Sequence, residues 1–94
     1  MTKLTRVRVL FAGSPKVAVP TLQALVDADT ELVGVLTQPA QPVGRKRILT
    51  ATPVEDCARG NNIPVFTPHS SAEVRDAIRQ CAPDVVIVVA YGRL

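Results

Sequence analysis

Tryptophan is absent from the 94 residues, and the aromatic set is Phe11, Phe66 and Tyr91 alone. Any core built from this chain is therefore aliphatic, made of Val, Leu, Ile and Ala. Histidine occurs once, at His69, and cysteine twice, at Cys57 and Cys81, with no CxxC pair. That set cannot supply a zinc site of the usual spacing, so no metal is expected. Both cysteines fall on apolar helix-like faces and read as small buried hydrophobes in a reducing compartment. No run of about 18 apolar residues occurs, which excludes a transmembrane helix and leaves no membrane partner to expect. The basic start, Met1 to Arg8, leads into a short strand-like run that breaks at Gly13 and Pro15. It lacks the long apolar stretch of a signal peptide, so the expected location is the cytoplasm. Neither GxGxxG nor GxxxxGK[ST] is present, since Pro15 and Ala18 stand where the later glycines would be. The usual dinucleotide and P-loop phosphate sites are thereby disfavoured. No carboxylate pair sits at strand ends, no serine or cysteine occupies a nucleophile elbow, and His69 reads as a surface turn residue. The residues alone show no complete active site.

What remains is an apolar, mildly basic chain. Hydrophobic residues make up 47% and the formal net charge is +3, enough for one small domain or a piece of a larger one. A domain of this size buries only about two-thirds of its unfolded surface, so its stability margin is narrow. The placement of charge says more than its sum. Residues 38–52 hold Arg45, Lys46 and Arg47 and no acid, and Lys3, Arg6, Arg8 and Lys16 form a second acid-free stretch. Two basic segments on an otherwise acidic body suggest a polyanion partner.

Val7 to Ala12 is a nearly continuous apolar run that reads as a strand covered on both faces. Gly13-Ser14-Pro15 is a turn into a helix carrying Val19, Leu22, Leu25 and Val26, with its firm part beginning near Pro20. Glu31 to Thr37 is a second strand. Gln38 to Thr52 reads as a long loop, and loops of this length are usually functional or mobile. Thr52-Pro53 resembles an N-cap with proline at the first helical position, followed by Glu55 and Asp56 at the positive end of the dipole. Ile63 to Phe66 is a brief strand that Pro64 places at an edge. Ser70 or Ser71 caps a helix with apolar Val74, Ala77, Ile78 and Cys81. Asp84 to Ala90 is the most apolar strand. The order βαβαβαβ predicts an α/β fold with a Rossmann-like parallel sheet, incomplete because nothing follows to cover the fourth strand. In such sheets ligands gather beyond the strand carboxyl ends. These are Gly13-Ser14-Pro15, the basic loop and the run from Tyr91 to Leu94. The GRKR run suits phosphate contact without base readout, and no aromatic is interleaved for stacking.

The segments FAGSPKVAVPTLQAL, VGVLTQPAQPVGRKRILTATPV, IPVFTPHS and PDVVIVVAYGRL, in this order and spacing, resemble the methionyl-tRNA formyltransferases over essentially the whole chain. The stretch from Thr37 through Val54 is the most specific part. The resemblance implies transfer of a formyl group from 10-formyltetrahydrofolate to the amino group of initiator methionyl-tRNA in translation initiation, by a monomeric full-length parent. Gly44, Arg45, Lys46 and Arg47 match the loop that meets the tRNA acceptor arm, with Arg45 foremost. Gly92, Arg93 and Leu94 match the folate-pocket segment, and Gly13, Ser14 and Pro15 match the turn bordering the site where the acceptor amine arrives. The family's catalytic asparagine, histidine and aspartate, its SLLP segment and its C-terminal β-barrel would lie beyond residue 94. Residues 1–94 are thus expected to be the N-terminal part of the α/β domain, inert alone and without catalytic residues. Ala40 stands where an acid is expected. Two alternatives stay open: a formyltransferase acting on a sugar nucleotide or purine ribonucleotide, and a non-enzymatic module binding tRNA or another polyanion.

Overall fold

The computed structural model of the chain describes residues 6–92. Its elements are β1 (Arg8–Gly13), α1 (Val19–Asp27), β2 (Glu31–Leu36), β3 (Gln41–Val43), β4 (Ile48–Thr50), α2 (Pro53–Gly60), β5 (Val65–Phe66), α3 (Ser71–Cys81) and β6 (Val85–Val89). Four strands form one parallel sheet in the order β5-β2-β1-β6. This is the expected Rossmann-like arrangement of four strands and three helices, with β5 at one edge and β6 at the other.

Alternation along the central strands divides the core in two. Leu10 and Ala12 of β1 and Leu36 of β2 face α3, packing with Val74, Ala77 and Cys81. Phe11 and Val35 face the opposite side and pack with Leu22 of α1 and with Val54 and Ala58 of α2. Both faces of β1 are thus covered, which explains why its sequence is continuously apolar. β6 is covered less completely, and Val85 and Val88 remain 41% and 47% exposed.

The helix ends follow from local chemistry. Thr52 caps α2, its Oγ1 accepting from the Glu55 amide at 3.0 Å. Ser70 rather than Ser71 caps α3, accepting from the Glu73 amide at 3.2 Å. The Glu73 carboxylate reaches back to the His69 amide at 2.9 Å, so a second donor at that helix start is satisfied. α1 begins only after a 3-10 turn at Lys16–Ala18, with Pro20 in its first turn. This is where a proline costs no helical hydrogen bond.

The structure departs from the sequence reading in three places. Residues 38–52 are not an irregular loop, because β3 and β4 pair antiparallel from Gln41↔Thr50 to Val43↔Ile48 as a separate two-stranded sheet. Cys57 is only half-buried, its thiol 3.8 Å from Gln23 Oε1, whereas Cys81 is buried as expected. The third difference concerns the N-terminal basic stretch. The Arg8 guanidinium donates to the carbonyls of Cys81 at 2.6 Å and Ala82 at 3.1 Å, and to Glu31 at 3.2 Å. Arg6 lies 3.7 Å from Asp29. These arginines stand at the amino end of β1, and Arg8 satisfies the last carbonyls of α3 at the negative end of its dipole. Arg8 is a structural tie between β1, β2 and α3, its guanidinium committed to these partners, while Lys3 of the same stretch lies outside the described residues.

Candidate functional site at the strand carboxyl ends

In a sheet ordered β5-β2-β1-β6, chain connections run outward from β1 in both directions, so the reversal of strand order falls between β1 and β6. The carboxyl ends of these two strands flank that crevice, the position where open α/β sheets bind ligands. Gly13, Ser14 and Pro15 leave β1 there, and Ala90, Tyr91 and Gly92 leave β6. The end of β2, at Thr37 and Gln38, lies alongside.

Gly13 is required by packing, not by its backbone torsion. A Cβ at this position would lie 2.8 Å from the Val89 carbonyl, 2.9 Å from the Phe11 ring and 3.0 Å from Ala18 Cβ. The next residue joins the three strand ends. Ser14 Oγ donates to the Tyr91 carbonyl at 3.1 Å and accepts from the Gln38 amide at 3.1 Å. Gln38 Nε2 donates to the same Tyr91 carbonyl at 3.2 Å. The Ser14 carbonyl accepts from the Val54 amide at 3.3 Å, bringing in the start of α2. Tyr91 is 2% exposed and packs within the α3-side core, between Ala90 (φ 52°) and Gly92 (φ 94°), both in the left-handed region. Such a conformation at a non-glycine residue is uncommon and persists where its surroundings hold it. This cluster contains hydroxyl, amide and carbonyl groups, which orient a ligand or a backbone segment but do not transfer protons.

The basic segment is held differently. Thr37, fully buried at the end of β2, and Thr52 at the start of α2 share a hydrogen bond of 2.6 Å between their hydroxyls. That contact closes the base of the excursion from residue 38 to 51. Beyond it β3 and β4 are exposed along their whole length, and Gly44 to Arg47 form the turn, closed by the Arg47 amide donating to the Gly44 carbonyl at 3.2 Å. Gly44 (φ 77°) and Arg47 (φ 55°) both take left-handed torsions, and no atom lies within 4 Å of where a Gly44 Cβ would sit. None of the ion pairs among the described residues engages Arg45, Lys46 or Arg47. Val43, Ile48 and Leu49 beside them are 50%, 62% and 68% exposed. The hairpin therefore presents three cations and three apolar side chains to solvent.

The structure thus brings the turn of residues 13–15 and Gly92 to one crevice, and places residues 44–47 at the end of a hairpin rooted beside it. Arg93 and Leu94 lie outside the described residues. Gln38 and Thr37 were not singled out by the sequence, and Thr52 only as a helix cap, because their partners across the fold lie 15 to 53 residues away along the chain. His69 is exposed in the turn between β5 and α3, three residues beyond the carboxyl end of β5. Among the described residues no group of three or more His, Cys, Asp or Glu side chains could hold a metal. No helix among them is long and apolar enough to cross a membrane.

The formyl transferase family profile matches residues 5–94. The chain belongs to the formyl transferase family. A methionyl-tRNA formyltransferase of Arthrobacter sp. (strain FB24) is 51% identical over 90 residues, covering 93% of this chain and 29% of that relative. The enzyme of the same name from Magnetococcus marinus is 46% identical over 93 residues, covering 97% and 30%. That of Alkaliphilus oremlandii is 43% identical over 89 residues, covering 93% and 29%. This formyl transferase chain therefore spans about three-tenths of the length of the curated relatives it matches. The match includes the hairpin residues as well as the sheet, so the family likeness extends over both parts of the candidate site.

Proposed function

We propose that these 94 residues are the N-terminal part of the α/β domain of an enzyme that transfers a formyl group from 10-formyltetrahydrofolate to the amino group of initiator methionyl-tRNA. The observation that carries this reading is the hairpin. Its exposed Arg45, Lys46 and Arg47 stand at the carboxyl edge of the sheet, the same edge that holds the crevice between β1 and β6. A small acceptor such as a sugar nucleotide needs no arm extending from the crevice, whereas a macromolecular polyanion does. On this reading Arg45 to Arg47 neutralise acceptor-arm phosphates, the turn at Gly13 to Pro15 borders the incoming amine, and Gly92 with Arg93 and Leu94 contributes to the folate side. The proton-transfer and oxyanion-stabilising groups that formyl transfer needs are supplied from beyond these residues, so the 94-residue chain binds without turning over. The expected location is cytoplasmic.

The test is binding of an initiator tRNA transcript to the chain across a salt series. Three phosphate contacts from Arg45 to Arg47 give a slope of log K against log salt of about −2 to −3, and Arg45→Ala lowers its magnitude by about 1. An unchanged affinity and slope in the Arg45→Ala, Lys46→Ala, Arg47→Ala triple variant would refute the tRNA role.

A further inference from the structure

We propose that Gln38 is a positioning residue that fixes the peptide between Tyr91 and Gly92, and so ties the root of the basic hairpin to the donor side of the crevice. The proposal rests on the donor-site reading for its meaning, but its geometry is independent of it. Gln38 is the first residue after the buried Thr37 that ends β2, and it starts the path into β3. Its backbone amide donates to Ser14 Oγ at 3.1 Å, and its side-chain Nε2 donates to the Tyr91 carbonyl at 3.2 Å. Ser14 Oγ donates to that carbonyl as well, at 3.1 Å. One carbonyl oxygen therefore accepts from two side chains, one rooted in β1 and one in β2.

The peptide bond is planar and trans, so the Tyr91 carbonyl and the Gly92 amide point in opposite directions within one plane. Fixing the oxygen fixes the direction of the Gly92 N–H. Without such a restraint the segment has reason to relax, because Ala90 at φ 52° and Gly92 at φ 94°, on either side of Tyr91, hold left-handed torsions. For Ala90 that torsion is costly and is held only by its surroundings. A Cβ on Gly92 would lie 3.4 Å from Gln38 Nε2, so the Gln38 amide packs directly against the residue it positions. The two hydrogen bonds to Tyr91 both cross the crevice from its β1 side, one from the end of β1 and one from the end of its neighbour β2. Ser14 belongs to the acceptor-side turn, and Gln38 leads to the hairpin. Any shift at the hairpin root is in this way conveyed to Gly92 through one side chain.

Backbone relaxation by NMR on the 15N-labelled 94-residue chain tests the assignment. In the wild-type protein Tyr91 and Gly92 are expected to show order parameters near the rigid value of about 0.85, falling toward about 0.6 in Gln38→Ala. Residues 44–47 and the β1 core should remain unchanged, which also confirms that the variant folds. Gln38→Glu supplies a second readout that a simple packing role would not move. Protonated, its carboxyl donates to the Tyr91 carbonyl as the amide does; ionised, it presents a second acceptor and repels. Tyr91 and Gly92 should therefore be rigid below about pH 4 and loosened above it in Gln38→Glu. Wild type measured at both values removes other titrations. Equal order parameters in wild type and Gln38→Ala, with no titration in Gln38→Glu, would overturn the proposal. Addition of 5-formyltetrahydrofolate separates it from the donor-site reading. Rigidity that depends on Gln38 with no folate-induced shift at Gly92 supports positioning and counts against the folate role. A folate shift at Gly92 with rigidity indifferent to Gln38 does the reverse.

Discussion

The hydroxyl contact between Thr37 and Thr52 permits a quantitative test of how the basic hairpin is anchored. Thr52→Ala removes two interactions together: the cap on the Glu55 amide and the 2.6 Å partner of Thr37 Oγ1. Loss of an N-cap costs about 1 kcal/mol. A buried hydroxyl left without a partner costs about 1–3 kcal/mol more. The single variant should therefore lose about 2–4 kcal/mol. Thr37→Val removes the buried hydroxyl while keeping the shape of the side chain, leaves the Thr52 cap in place, and should cost about 1 kcal/mol. In the double variant no orphaned hydroxyl remains, so its loss should be smaller than the sum of the singles by about 1 kcal/mol, within the range found for contacting residues. Thr52→Ser keeps both interactions and should stay within about 0.5 kcal/mol of wild type. The assay is urea unfolding followed by far-UV circular dichroism. At a slope of about 1 kcal/mol/M for a protein of this size, Thr52→Ala moves the midpoint down by about 2 M or more. Strictly additive singles, or a Thr52→Ala loss below about 0.5 kcal/mol, would show that the stem is not closed by this contact.

Three further outcomes are expected. Gly13→Ala forces a Cβ to within 2.8 Å of the Val89 carbonyl, which cannot swing aside, and should cost about 1–3 kcal/mol or abolish folding. Gly34→Ala meets only the ends of the Phe66, Cys81 and Leu10 side chains and should cost less, both read as melting temperatures. Arg8→Met keeps the stem of the side chain but leaves the Cys81 and Ala82 carbonyls without their donor, and should lower stability by about 1–2 kcal/mol in the same urea assay. Burial pushes the Cys81 thiol above its ordinary value, with the Arg8 charge opposing in part. Because the folded state then holds its proton more tightly than the unfolded state, the stability from this group is complete below about pH 8.5. It is lost as pH rises through the folded value. Cys81→Ala should flatten that alkaline decline, and a thiol reagent at neutral pH should modify Cys57 first.

The main sheet was legible because its strands are apolar on both faces and its helices carry explicit caps. Thr52-Pro53 and Ser70 announce their helix starts in the sequence, and the structure gives both the expected hydrogen bonds. The pairing of β3 with β4 carried no such signal. Each strand is three residues long and exposed throughout, so there is no alternation to read, and Pro42 argues locally against a strand. The turn between them has four residues, Gly44 to Arg47, without an Asn-Gly or Asp-Gly pair. The role of Arg8 and the meeting of Ser14, Gln38 and Tyr91 were beyond local inference for another reason. They join residues 24 to 77 positions apart, and only the strand order brings them together. Composition placed Arg8 among surface cations. Its position at the amino end of β1 makes it a ligand for the end of α3.

The stem that Thr37 and Thr52 close also makes the hairpin separable from the domain that carries it. The chain leaves and re-enters the sheet layer at two residues already held 2.6 Å apart through their hydroxyls, so what lies between them need not be threaded through the core. Doubling the length of a flexible segment between fixed ends costs only about 0.6 kcal/mol in closure entropy. Residues 41–50 are therefore a natural graft point. A longer arm, a shorter one or an unrelated peptide can be exchanged there while the four-stranded sheet and the crevice between β1 and β6 keep their form. On the proposed reading, this lets acceptor choice diversify by trading arms on a common base.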